Sequence, residues 1–420
     1  MRRQRMGALF AAALLPTAAV AQDSSQRPPK FSAEYRTRVE DVRGAEATAT
    51  GNDLAYLTRL RLTAAIPLPA RLHVVAQLQD ARPLSADPRR RPAAAANDLD
   101  LRQAYVEMRR SAHWMVRGGR QELTFGEQRL IGSGEWFNVG RTFDGVRMTF
   151  SSARMAVTAF GASVVRVRAG EFDRFQSDER LAGAVATVHP AQGLTIEPYL
   201  LWRTTGRAIG ERGDAGSVHI YTPGARFVTA HGPLDAVAEV ALERGRTAST
   251  PLGAAAGAYR AGWTVARLPP RPRIGAEFSH ASGDRDGGDG RVGTFDQFYP
   301  TNHAKYGLTD RVGWRNMRDT AMFLDLSPRR GVTVKASAHR LWLATVADAW
   351  YGASGATVVR NPAATSRALG TDVGVAATWA VSSHLTLGVG MSQMQPGGFL
   401  RQSGVHRPLR APHVSSTLTF

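Results

Sequence analysis

Arginines recur at alternate positions in several stretches of this chain. Arg36 and Arg38 form one pair and Arg59 and Arg61 another, with Arg71, Arg117 and Arg147 in similar surroundings. Alternation puts such residues on one face of an extended strand. A guanidinium stays charged at any physiological pH and can grip a carboxylate with two parallel hydrogen bonds. Glu107, Glu197, Glu239 and Glu277 fall on comparable polar faces and are candidate counter-charges. An arginine-lined wall broken by a few carboxylates would attract an anion at many weak sites, as conduction requires. The same charges would also solvate and stiffen a water-filled interior that selects nothing.

Strands must position these residues. Period-2 alternation bounded by turn residues predicts eighteen of them. They lie near 31–41, 54–66, 69–80, 98–109, 112–121, 142–150, 153–162, 180–190, 193–203, 217–229, 233–244, 257–268, 271–281, 318–327, 330–341, 369–380, 383–393 and 410–420. Connections after even strands are short and built from Pro, Ser and Gly, as in Pro67-Leu68-Pro69 and Val381-Ser382. Connections after odd strands are long, as in 282–317 and 342–368. Sorting of loop length by parity fits an antiparallel up-and-down barrel with tight periplasmic turns and long extracellular loops. In the second strand, Tyr56, Leu60 and Leu62 share one face and Arg59 and Arg61 the other. Trp114, Phe150, Trp202, Trp342 and Trp379 sit near strand ends, where interfacial girdles form. The expected fold class is therefore all-β, a transmembrane barrel of about eighteen strands.

Arg2, Arg3 and Arg5 precede an apolar stretch that ends in Ala19-Val20-Ala21, which reads as a cleaved signal peptide over residues 1–21. The expected organisation continues with a short periplasmic segment, 22–30, and the barrel, 31–420. The chain carries 53 Lys+Arg against 35 Asp+Glu, a net charge of +18, which becomes +15 without the three leader arginines. All but Lys30, Lys305 and Lys335 of those cations are arginine. A basic exported chain has anionic partners: glycan, acidic solutes or the phosphates of outer-membrane lipopolysaccharide, with nucleic acid excluded by the compartment. The terminal Phe420, with Leu418 and Val414 on its own face, resembles the signal read by the outer-membrane barrel assembly machinery. A barrel of this size is a complete passage, so a monomer is expected.

Other chemistry finds little support. Cysteine is absent, so there is no disulfide and no thiolate metal site. No metalloprotease helix, nucleophile elbow or P-loop signature occurs. The eleven histidines show no ligand spacing, and no cofactor or metal is expected. Asp284, Asp286 and Asp289 have calcium-like spacing, but the closing bidentate Glu is missing.

Two blocks carry more than patterning. The first runs Arg117-Gly118-Gly119-Arg120-Gln121 through Arg129 and Trp136-Phe137-Asn138-Val139-Gly140-Arg141 to Phe143-Asp144-Gly145-Val146-Arg147. The second runs Asp296-Gln297-Phe298-Tyr299-Pro300-Thr301-Asn302-His303 to Asp310 and Trp314. Together they resemble the alginate export family of outer-membrane porins. The resemblance implies family roles for Arg120, Gln121, Arg129, Trp136, Asn138, Arg141, Phe143, Asp144, Gly145, Asp296, Pro300, Asn302, His303 and Asp310. Arg120 and Asp144 fall on the lipid-side parity, which suits a loop tie above the membrane. The loop around Asn302 and His303 suits either a structural plug or substrate contact.

These readings predict an outer-membrane channel that passes an anionic polysaccharide or acidic oligosaccharide by diffusion. A general small-solute porin with mild anion preference and a sealed structural or adhesion barrel remain as alternatives. No enzyme is expected.

Overall fold

The structure, a computed structural model, describes residues 28–44, 53–84, 95–168, 170–211, 213–265 and 267–420. The leader read at 1–21 and most of the segment 22–30 lie outside the described residues. Eighteen antiparallel strands close into one barrel. They are β1 (Lys30–Val42), β2 (Asp53–Leu68), β3 (Leu72–Pro83), β4 (Asn97–Arg109), β5 (Trp114–Gln121), β6 (Phe143–Ser151), β7 (Met155–Arg166), β8 (Glu179–Ala191) and β9 (Leu194–Ile209), followed by β10 (Ala215–His231), β11 (Leu234–Thr247), β12 (Thr250–Thr264), β13 (Arg273–Ala281), β14 (Met317–Arg329), β15 (Val332–Leu343), β16 (Ala368–Ala380), β17 (Leu385–Pro396) and β18 (His413–Thr419). Each strand pairs with its sequence neighbour, and β1 meets β18 with Tyr35 opposite Leu418. Ala33 and Phe420 exchange backbone hydrogen bonds of 3.0 and 2.9 Å across that seam, so the last residue completes the closure. Among the described residues no helix is long and apolar enough to cross a membrane.

The predicted alternation is realised as an inside-out protein. Leu60, Leu62, Val106, Val146, Leu200, Val375 and Met391 are exposed on the outer wall. Arg59 and Arg61, their strand neighbours, are 3% and 6% exposed on the inner one. This is the arrangement a barrel needs when its outer surface meets hydrocarbon.

The eighteen strands match the predicted ones, with two instructive departures. The segment 245–256 reads as a long loop but forms a tight turn at Ala248-Ser249, because β11 and β12 run further than predicted. Leu252, Ala254, Ala256 and Ala258 face inward there and are buried against inserted loop residues. Small inward side chains leave room for that loop, and their lack of polar alternation conceals the strand. The second departure is Arg71, predicted to line the lumen. It occupies the turn between β2 and β3 with φ 59° and is exposed, which removes it from the inner wall.

The long loops are not all outside. Residues 122–142 and 282–316 fold into the barrel mouth and meet as a short ladder. Gly132 N–H donates to Tyr299 O at 2.9 Å, and Tyr299 N–H donates to Leu130 O at 2.8 Å. Leu130, Ile131, Phe295, Tyr306 and Trp314 form an apolar core with the inward faces of Phe160, Leu181, Leu201 and Ile220. On β7 to β10 the upper inner wall is therefore largely apolar, contrary to the simple polar-in rule, because it packs against protein rather than water. A small hairpin (349–351 with 357–360) and a helical turn (Gly398–Gln402) complete the extracellular side.

Candidate functional site

The first inserted loop rests on a bed of arginines. Glu135, near the loop tip, receives Arg61 at 2.8 Å, Arg102 at 2.7 Å and Arg59 at 3.3 Å. Arg59 also pairs with Glu34 at 2.6 Å. Arg36 donates to the carbonyls of Glu135 and Phe137 at 2.8 and 3.0 Å, and Arg38 donates to that of Trp136 at 2.6 Å. The Arg38 guanidinium also stacks 4.0 Å from the Trp136 ring centre. Burial alone would raise the Glu135 carboxyl, but Arg61 and Arg102 outweigh it and hold the group at about 2. Four of the predicted lumen arginines (Arg36, Arg38, Arg59 and Arg61) thus face inward as expected but are committed to a loop.

Arg102 and Glu135 escaped the sequence reading. Strict alternation from Glu107 places Arg102 on the lipid side. A bulge against β3, where the register slips between Gln77 and Leu78, turns Arg102 inward. Glu135 lies in a loop, where no periodicity reports its direction.

A second network ties both loops to the opposite wall. Arg129, fully enclosed, donates to Glu277 at 2.7 Å and to the Tyr306 hydroxyl at 3.0 Å. Glu127 is bridged to Arg129 at 3.3 Å and to Arg260. Burial pushes the Glu127 carboxyl up, while Arg260 and Arg129 pull it down to about 2. Arg226 pairs with Glu197 at 2.5 Å, and Tyr199 donates to Glu239 at 3.3 Å. All four predicted counter-charges therefore face inward, although Glu239 meets a phenol rather than an arginine.

The remaining motif residues organise the mouth. Arg141 donates to Tyr299 O at 2.7 Å and Pro300 O at 3.0 Å, clamping one inserted loop to the other. Asn138 spans Thr58 O and Ala95 O at 2.9 and 3.0 Å. Asp296 accepts Arg203 at 2.6 Å, and its N–H donates to Glu243 at 2.8 Å. Asn302 donates to Gln297 at 3.0 Å and Ala353 O at 2.7 Å. His303 pairs with Asp310 at 2.6 Å and stacks on Trp136 at 3.5 Å, joining the tips of the two loops. Arg120 grips Asp144 with bonds of 2.8 and 3.0 Å and also reaches Asp173 O, the loop tie its parity suggested. Gln121 donates to Gly145 O at 3.1 Å, and Phe143 packs edge-on to Tyr299. A Cβ built on Gly145 would meet Gly161 O at 2.3 Å, so only glycine fits there. Asp286 and Asp289 accept N–H groups of their own loop, from Gly288 and Arg291.

Below the loops the wall is less committed. Arg117 and Arg147 are register partners on β5 and β6 and both point inward. Arg117 and Arg109 share Glu107, at 2.5 and 2.9 Å, while Arg147 has no carboxylate partner among the described residues. Across the lumen the balance reverses: Arg273 is held by both Asp235 and Asp325, at 2.5 and 2.9 Å.

The family model described as alginate export matches residues 27–411. No match was found among curated proteins. Among solved structures, OccAB1 of Acinetobacter baumannii is similar with a TM-score of 0.65 at 10% identity, covering 95% of this chain and 99% of that one. OccD3 (OpdP) of Pseudomonas aeruginosa gives 0.64 at 10% identity, covering 95% and 94%. OpdK of Pseudomonas aeruginosa, solved with vanillate, gives 0.63 at 12% identity, covering 93% and 98%. At such identities these likenesses speak for the barrel architecture alone. The family match extends over nearly the whole chain, and the chain belongs to the alginate export family of outer-membrane β-barrel porins.

Proposed function

Starting from that membership, we propose that this porin is a diffusion channel for acidic saccharides, from oligosaccharides to an anionic polysaccharide of the alginate kind. The observation that carries the reading is the inward pair Arg117 and Arg147: Arg117 shares Glu107 with Arg109, and Arg147 pairs with no carboxylate among the described residues. That leaves local positive charge in the lumen, at arginines not committed to a loop. A uronate offers one carboxylate per sugar, and a guanidinium matches it bidentately. The Arg117 guanidinium also lies 4.1 Å from the Tyr105 ring centre, so a passing sugar meets charge beside an aromatic face. Arg36, Arg38, Arg59 and Arg61 contribute by fixing the loops that shape the mouth. The same reading has residues 1–21 cleaved on export, Phe420 recognised by the barrel assembly machinery, and the barrel working as a monomer.

A narrower alternative is a porin for small carboxylates, supported by the fold relative solved with vanillate. Liposome swelling separates the two. The proposal expects uronate oligosaccharides to enter faster than neutral oligosaccharides of equal size. Entry of monomeric acids with exclusion of every oligosaccharide would favour the alternative, and equal rates for charged and neutral sugars would overturn both.

A further inference from the structure

The outer face of the barrel carries a second set of arginines that no channel reading uses. Arg318 on β14 and Arg340 on β15 are exposed and point away from the lumen, since their neighbours Asp319, His339 and Leu341 are buried inside. Register places them together. Arg318 is opposite His280 on one side and Trp342 on the other, and Arg340 is opposite Thr320, one step along β14. Beside them a groove of about 470 Å³ is lined by Phe278, His280, Arg285 and Arg318. Arg318, Arg340 and Arg285 make no ion pair among the described residues; Arg340 donates only to Thr371 Oγ1, at 3.1 Å.

Height decides what such a patch faces. Arg318 and Arg340 stand about ten residues above the periplasmic turn at Arg330-Gly331. At ~3.3 Å per residue and a strand tilt of ~40°, that is about 25–30 Å, the upper edge of an apolar band ~25 Å tall. Phe278 and Met322 lie on the same outer face, and Trp342 is level with Arg318. A cationic patch over an aromatic and apolar strip is complementary to a phosphorylated lipid headgroup above its acyl chains.

The pattern recurs on the neighbouring wall. Arg180, Thr204, His219 and Arg246 form one outward row across β8 to β11, above the stacked Trp202 and Tyr221. The other side of the barrel differs: Arg82 is bridged to Asp80 at 2.7 Å and to Asp98 at 3.4 Å, and Arg43 to Asp41 at 2.7 Å. Among the described residues, the outward arginines at Arg43 and Arg82 are neutralised, whereas Arg180, Arg246, Arg318 and Arg340 make no ion pair.

We propose that the groove at β13 to β15 binds the phosphate groups of lipid A, the anchor of lipopolysaccharide, through Arg318, Arg340 and Arg285, with Phe278 and Met322 against the acyl chains. Binding is measured on the full-length barrel in nanodiscs by titration with lipid A, dephosphorylated lipid A and inorganic phosphate. The expected result is that R318Q/R340Q lowers lipid A affinity at least about tenfold, as the loss of two charge-assisted contacts, each partly screened, predicts. Removing the lipid phosphates from the wild-type titration should produce a similar loss. R82Q, whose arginine is already paired, should bind as wild type, R318K/R340K should retain most of the affinity, and channel conductance should be unchanged in all. Equal binding of phosphorylated and dephosphorylated lipid, or full affinity in R318Q/R340Q, overturns the proposal. Displacement of lipid A by millimolar inorganic phosphate overturns it in favour of a free-phosphate site.

Discussion

The two inner walls of this barrel hold their loops with opposite chemistry. On β1 to β4, arginines donate to loop carbonyls and to Glu135. On β11 to β16, beside the Arg260 contact to Glu127, carboxylates accept from the loops: Glu243 from Asp296 N–H, Glu277 from Arg129, and Asp372 from the Thr309 hydroxyl at 2.5 Å. Each wall satisfies its own buried charge with loop groups, which is what keeps those charges tolerable away from bulk water. The difference is that the basic wall continues below the loops as Arg117 and Arg147, whereas the acidic wall ends in an Asp235–Arg273–Asp325 triad with one carboxylate in excess. In the proposed function, the upper walls are architecture and the lower basic wall is where a solute is felt.

Breaking the basic anchor should have the largest effect. Glu135→Gln leaves Arg59, Arg61 and Arg102 without a shared counter-charge. Losing one member of a buried ion cluster costs about 3–5 kcal/mol. Glu135 keeps 44% of its side-chain exposure, so about 2–3 kcal/mol is expected. Single-channel recordings should show a noisier or larger conductance as the 122–142 loop loosens.

Arg117→Gln with Arg147→Gln should leave the loops in place and lower anion-over-cation permeability by roughly three- to tenfold, the range for two partly screened charges a few ångströms from the path. Bilayer reversal potentials check this.

Acid should reproduce the first effect. The Glu135 carboxyl sits at about 2, below the ~4.3 of an unfolded glutamate. Its contribution is thus complete above about pH 5 and is lost as pH falls through about 4 to 2. Conductance noise should rise over that window in the wild type and rise less in Glu135→Gln, where Glu127, also held at about 2, still titrates.

On the acidic wall, Glu277→Gln should do least, because Arg129 keeps Glu127 at 3.3 Å and the Tyr306 hydroxyl at 3.0 Å. A cost of about 1–2 kcal/mol in denaturant unfolding is expected.

Alternation made the barrel legible. Eighteen strands, the closing Phe420 and the inward facing of Arg59, Arg61, Arg117 and Arg147 all follow from a period of two. Three features broke that period. The bulge on β4 reversed Arg102, the alanine-rich start of β12 hid where that strand begins, and the apolar upper wall at Leu181, Leu201 and Ile220 answers to loops folded inside. The loop network around Glu135 and Arg129 has no periodicity at all, and its motif residues stood out only through the family resemblance. Loop residues find partners far away in sequence, as His303 finds Trp136, and local pattern carries no record of that.

The most direct test of the central claim is the reversal potential of the reconstituted channel under a gradient of a sodium uronate oligosaccharide. The wild-type potential should be set by the uronate anion and should move toward the sodium value in R117Q/R147Q. A sodium-set potential in the wild type, or an unchanged one in the double variant, would contradict it.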